Sequence, residues 1–186
     1  MHEFSAFEHC VRQRITAKWA ALRVALILFY VLFVVAAFTA GLFVRIAWPL
    51  FALVPLLLWI LVFVTWRYTD IEYEYTITSG KLTFCKIYGN RTRKRMFEMD
   101  LRDAVLIAPL DGGTYSARAT AYRPERSFEG VSSFHAPNIY MLLFELDARK
   151  RADKRRAIFY FEATSKSLSI CRFYNQSATV TTALSS

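Results

Sequence analysis

The chain is short of several things that chemistry usually needs. Its 186 residues hold three histidines, His2, His9 and His135, and none has a second ligand at the i+3 or i+4 spacing of a helical metal site. The cysteines are Cys10, Cys85 and Cys171, with no C-x-x-C among them. An odd, scattered set fits free thiols in a reducing compartment better than a disulfide framework. Neither phosphate-cradling glycine motif, G-x-x-x-x-G-K-S/T or G-x-G-x-x-G, occurs; Gly112-Gly113 reads as a turn. Ser133 near His135, and Ser165-Lys166, are nucleophile–base pairs on paper, but neither sits in a motif such as G-x-S-x-G. The sequence therefore implies no cofactor and no metal.

Charge is missing from two long stretches. Residues 24–44 and 46–66 each run 21 positions without Asp, Glu, Lys, Arg or His. As a helix each would reach about 31 Å, the thickness of a hydrocarbon core. A cleaved signal sequence has a shorter apolar region and no second span directly behind it. The spacing predicts a transmembrane helical hairpin over residues 21–67. Gly41 is expected to end the first helix, Pro49 to open the second, and Pro55 to kink it. Transporters and proton relays usually carry an ionisable residue inside, so these spans read as an anchor.

Basic residues set the orientation. Arg12, Arg14, Lys18 and Arg23 precede the first span, Arg67 closes the second, and Arg45 stands alone between them. The positive-inside rule places both termini in the cytoplasm of a multi-pass cell-membrane protein. Ahead of the spans, Phe4, Phe7, Val11, Ile15, Trp19 and Leu22 recur at steps of three and four. That stripe predicts an amphipathic interfacial helix over residues 1–20.

After Trp66 the period changes to two. In IEYEYTIT, Ile71, Tyr73, Tyr75 and Ile77 share one face, and Glu72, Glu74 and two threonines share the other. The acidic ladder reads as a solvated face. Ser79-Gly80 and Gly89-Asn90 mark hairpin turns, giving three strands up to Leu101. A fourth strand is expected in AVLIA up to Pro109, and further strands in IYMLLFELD (139–147) and AIFYFEA (157–163). Residues 109–137 show no regular period and read as a long excursion with one short strand. Thr164 or Ser165 is placed to cap a last helix, with Leu168, Cys171 and Tyr174 on one side. The fold class is α+β, with a mostly antiparallel β-domain over residues 68–186.

The string Tyr75-Thr76-Ile77-Thr78-Ser79-Gly80-Lys81-Leu82, then Gly89-Asn90-Arg91-Thr92-Arg93 and Met99-Asp100-Leu101, resembles the bacterial pleckstrin-homology-like fold. Phe7-Glu8-His9-Cys10-Val11-Arg12-Gln13-Arg14, the run Lys86 to Arg95, and Ile107-Ala108-Pro109 are similar to a two-span family of Gram-positive bacteria to which no chemistry is assigned. The resemblance implies a pleckstrin-homology-like barrel closed by a C-terminal helix and carried on two transmembrane helices. It implies no activity.

Two basic clusters remain. One is Arg149, Lys150, Arg151, Lys154, Arg155 and Arg156; the other is Lys81, Arg91 and Arg93. Near an anionic inner leaflet each such residue gains on the order of 1 kcal/mol. Equally, charge at a hairpin tip or sheet edge keeps strands from pairing wrongly. The membrane-surface reading makes anionic phospholipid headgroups candidate partners. A protein partner or a second copy of the chain is the other kind, and nucleic acid is not expected, since no reading helix or base-stacking motif is present. The expected role is that of a membrane-anchored, non-catalytic adaptor or scaffold. The alternative is a small membrane enzyme acting on lipid or envelope precursors.

Overall fold

A computed structural model of the chain describes residues 6–14, 17–43, 52–89, 91–110, 113–147 and 154–181. The chain forms two compact units. One takes in residues 1–13, 72–87 and 93–186; the other takes in 14–71 and 88–92.

The first unit is built on two four-stranded sheets. In one, the order is β1 (Ala6–Arg12), β2 (Ile71–Thr78), β3 (Lys81–Tyr88), β4 (Thr92–Asp100). The β2–β3 hairpin closes on Ser79 and Gly80, both at positive φ (50° and 85°), as a tight two-residue turn requires. The strand at residues 6–12 corrects the helix expected over 1–20. It pairs antiparallel with β2, with Phe7 opposite Ile77, His9 opposite Tyr75 and Val11 opposite Tyr73. Phe7 and Val11 are buried, while Ala6, Glu8, Cys10 and Arg12 are exposed. The reason is geometric. Residues four apart share a face in a helix and in a strand alike, so Phe7 and Val11 satisfied both patterns, and the open edge of β2 decided between them. The helix begins only at Ala17.

The second sheet runs β5 (Leu106–Pro109), β7 (Ile139–Asp147), β8 (Lys154–Glu162), β6 (Arg126–Gly130), with β6 parallel to β8 and the other pairs antiparallel. β7 is buried on both sides from Ile139 to Phe144, which explains its unbroken apolar run. One side meets α3 (Thr114–Tyr122), whose Tyr115, Ala119 and Tyr122 pack on Leu106, Ala108, Met141, Leu143 and Ile158. The other side carries the aromatic core. Phe159 lies 4.7 Å from Phe84, and Phe97 lies 4.7 Å from Phe144 and 4.9 Å from Phe128, between ring centroids. Each such ring contributes roughly 1.5–3 kcal/mol by burial alone. The eight strands form two ladders; among the described residues no pairing joins them into one closed barrel.

Helix α3 and strand β6 occupy the stretch expected to be an irregular excursion with one short strand. α3 ends where Arg123 turns left-handed (φ 52°) just before Pro124, an ordinary way to stop a helix. The last helix, α4 (Ser165–Tyr174), starts as expected: the Thr164 hydroxyl accepts from the Ser167 N–H at 3.1 Å, and Ser167 returns the contact at 2.9 Å. Beyond it, the Asn175 side-chain amide donates to the carbonyls of Leu101, Arg102 and Ala104 at 3.0–3.1 Å. Residues 178–180 then bond to both sides of Ile107, covering the outer edge of β5.

The second unit contains α1 (Ala17–Phe43) and α2 (Val54–Trp66). Within α1, Trp19–Leu42 is long and apolar enough to cross a membrane. Helix α1 continues through Gly41, so that glycine does not end it. Pro55 does not kink α2; it sits in the first turn, where its missing N–H costs nothing. Arg45, Trp48 and Pro49, with the expected start of the second span, lie outside the described residues. α2 covers about 20 Å, less than a full span. The helices are antiparallel neighbours. Arg23 donates to the Thr69 carbonyl at 2.9 Å, and the hydroxyls of Tyr30 and Thr65 bond at 2.5 Å.

Candidate functional site

Several of the described basic residues have partners within the fold. Arg149, Lys150 and Arg151 lie outside the described residues. Lys154 opens β8, opposite Asp147 in register, and Arg155 is exposed. Arg156 donates to the Tyr122 carbonyl at 2.9 Å and lies over the Tyr122 ring, capping α3. Lys81 lines a cleft of about 290 Å³ with Glu98, Asp100, Asp103 and Glu145. Four carboxylates around one ammonium make poor ground for an anion.

Arg93 is taken up by a buried acid. Glu74 is 4% exposed, so the acidic ladder is not wholly solvated as expected from its alternation. Arg93 Nε bonds Glu74 Oε2 at 2.9 Å, its Nη2 meets Oε1, and Thr76 donates at 3.2 Å. The pair raises the guanidinium pKa of Arg93, chiefly through the hydrogen bond to Glu74. Beside it on the strand, Glu72 faces Arg12 at 3.9 Å and Cys10 at 3.9 Å. On β3, burial pushes the Lys86 ammonium pKa down, and that amine rests 5.3 Å from the Tyr73 ring.

The nucleophile–base pairs resolve into turn chemistry. The Ser133 hydroxyl oxygen accepts the His135 backbone N–H at 3.2 Å, and the His135 ring is on an exposed residue. Ser165 occupies the exposed first position of α4, and its carbonyl accepts from Ser169.

Arg91 has a different setting, in the helical unit. Its guanidinium lies 4.4 Å over the Phe63 ring of α2. The turn that carries it is tied down by the Gly89 N–H, which donates to the Asp70 carbonyl at 2.8 Å. Gly89 has φ +56°, and a Cβ there would lie 2.8 Å from the Arg67 Cβ, so only glycine lets the turn approach so closely. Between turn and helix is a cavity of about 460 Å³ lined by Trp59, Val62, Phe63 and Trp66 and by the polar side chains of Arg67, Asp70 and Arg91. Arg67 Nε is buried and has no hydrogen-bond partner among the described residues. The sequence marked Arg91 only as one of a basic cluster. Nothing in the spacing showed that it would line one cavity with Arg67.

No curated protein and no solved structure matches the chain. A family model does, over residues 5–180: the Bacterial PH-like domain (DUF6106). The match begins at β1 and runs through the helices to the strand-like tail at residue 180, so it treats the β-sheets and the helical segment as one inherited unit, and this chain belongs to that family of bacterial PH-like domain proteins.

Proposed function

We propose that this protein is a membrane-anchored, non-catalytic adaptor or scaffold. Its helices form a two-span hairpin, both termini lie in the cytoplasm, and its PH-like domain binds protein partners or anionic headgroups at the inner leaflet. The observation that carries this reading is the pairing of β1 with β2. The chain leaves the sheet at Arg12 and rejoins it at Glu72, its register partner. Partners in a ladder are about 5 Å apart, so both ends of the intervening segment lie on one side of any membrane. A chain that crosses along Trp19–Leu42 must cross back before residue 72. One apolar helix within an interrupted sheet thus supports an even number of crossings, as expected for a hairpin.

The filled aromatic interior supports binding at a rim or an edge over catalysis in a pocket. Among the described residues β6 is an edge strand of its sheet, the kind of edge that a partner strand extends. Crosslinking the full chain in its native membrane, followed by mass spectrometry, tests the proposal. The expected result is recovery from the membrane fraction only with detergent, with crosslinks from the PH-like domain to a protein or to a second copy. Recovery without detergent would overturn the anchor.

A further inference from the structure

We propose that the cavity between α2 and the Tyr88–Thr92 turn holds the headgroup of an anionic phospholipid, phosphatidylglycerol in type. This inference rests on the membrane-anchored reading above. The cavity has two unlike kinds of lining. Trp59, Phe63 and Trp66 form an apolar wall on α2, and Trp59 stacks on Phe63 at 5.5 Å. Arg67 and Arg91 bring two guanidinium groups to the same cavity, that of Arg91 lying 4.4 Å over the Phe63 ring. A ligand that satisfies both is an amphiphile with an anionic head, and the place where an apolar helix gives way to arginine is where such a head lies.

The carbonyls at the end of α2 do not consume the arginines. Thr69 Oγ1 donates to the Trp66 carbonyl at 2.8 Å, and Arg23 donates to the Thr69 carbonyl. Arg67 Nη2 donates to the Tyr68 hydroxyl at 2.9 Å, leaving the buried Nε without an acceptor among the described residues. A buried donor without an acceptor is costly, and a phosphate oxygen is the acceptor that a guanidinium takes best.

The test uses the full chain with Trp19→Phe and Trp48→Phe, so that emission comes from Trp59 and Trp66, the remaining tryptophans. It is placed in phosphatidylcholine nanodiscs containing a minor fraction of acyl-brominated phosphatidylglycerol, phosphatidylethanolamine or phosphatidylcholine. Brominated phosphatidylglycerol should quench more efficiently than brominated phosphatidylcholine, by on the order of fivefold in effective occupancy. Arg67→Gln with Arg91→Gln should bring the two to parity, and Lys at both positions should restore part of the preference. Arg155→Gln, on the PH-like domain, should leave it unchanged. Equal quenching by both lipids in the parent, a preference that survives the double Gln variant, or a preference lost with Arg155→Gln would overturn the site. Stronger quenching by brominated phosphatidylethanolamine would overturn the anionic headgroup. Those outcomes leave the anchor standing; absence of quenching by every brominated lipid would take the anchor down instead.

Discussion

Removing the guanidinium of Arg93 should cost more than removing the charge of Glu74, although the two form one ion pair. The Glu74 side chain is 6% exposed and that of Arg93 is 58% exposed. Arg93→Ala leaves a buried carboxylate with the Thr76 hydroxyl as its remaining contact in that group. Stripping one partner from a fully buried pair costs about 3–5 kcal/mol, and the solvent at the arginine end reduces this to about 2 kcal/mol. For a domain of this size that is a fall in Tm of roughly 8 °C. Glu74→Gln keeps an amide for Thr76 and leaves an exposed arginine to water, so its cost should stay below about 1 kcal/mol. The double variant should resemble Glu74→Gln alone, giving a coupling of about 2 kcal/mol, the full cost of Arg93→Ala. The assay is thermal unfolding of the full chain in detergent, followed by near-ultraviolet circular dichroism from the aromatic core. If Arg93→Ala is the milder of the two, or if the effects simply add, the carboxylate reaches water in the fold. Arg93 would then be free for an external anion after all.

Three other perturbations follow from the same packing. Deleting residues 1–13 removes β1 and uncovers the edge of β2 beside Tyr73, Tyr75 and Ile77, so the domain should aggregate or lose Tm, and a peptide of residues 5–13 added in trans should bind and reverse part of the loss; unchanged unfolding would mean that β1 is dispensable. Asn175→Ala should destabilise by about 1–3 kcal/mol, since it leaves the carbonyls of Leu101 and Ala104 without the side-chain amide, and the same thermal scan reads it. Thiol labelling should separate the cysteines by pH. Partial burial raises the pKa of the Cys10 thiol, with Glu72 and Glu74 adding to it, so it should react slowly at neutral pH and faster after Glu72→Gln. Burial pushes Cys171 up from 9.0 to about 12. The folded state thus holds that proton more tightly than the unfolded chain. Its contribution to stability is complete below pH 9 and is lost as pH rises toward 12. An alkaline unfolding limb that Cys171→Ala leaves unaltered would refute this.

Much of the sheet structure was legible because alternation and turn chemistry agree there. Ile71 to Thr78, the positive-φ pair Ser79-Gly80 and the capping Thr164 each carry a local signal strong enough to stand alone. The failures have a shared cause: the deciding contact is remote in sequence. Phe7 and Val11 fit helix and strand equally, and the choice depends on β2, sixty residues on. The short α3 has only Tyr115, Ala119 and Tyr122 to mark its face, a spacing of four and three that two turns can barely display. Glu74 alternates with apolar neighbours like any solvated residue, and Arg93 of β4 is what makes its burial tolerable. The candidate site was less legible still. Arg91 is visible as a charge, but the cavity it lines also takes in Phe63 and Arg67, which two strands separate from it in the chain.

The interruption of a sheet by a helical segment also bears on how the domain can assemble. Pairing Arg12 with Glu72 closes a loop of about sixty residues, which for a flexible chain costs on the order of 3–4 kcal/mol in entropy. That cost falls on the first contact between β1 and β2, before most of the pairing reward arrives. Here the loop is not flexible. Arg23 near the start of α1 bonds Thr69 just beyond α2, and the Tyr30–Thr65 bond holds the same helices together a turn or two farther along. Once these contacts form, the ends of the segment are already close, and the closure cost has largely been met within the helical unit. β1 then adds to β2 as a nearly local strand. The order predicted is helices first, then β1. Weakening the helix contact with Tyr30→Phe together with Arg23→Gln should therefore slow the burial of Phe7 and Val11 during refolding into bilayers more than it slows formation of the β2–β3 hairpin. Hydrogen exchange pulsed during refolding reads both: simultaneous protection of β1 and β3 in that variant would show that the sheet forms without help from the helices.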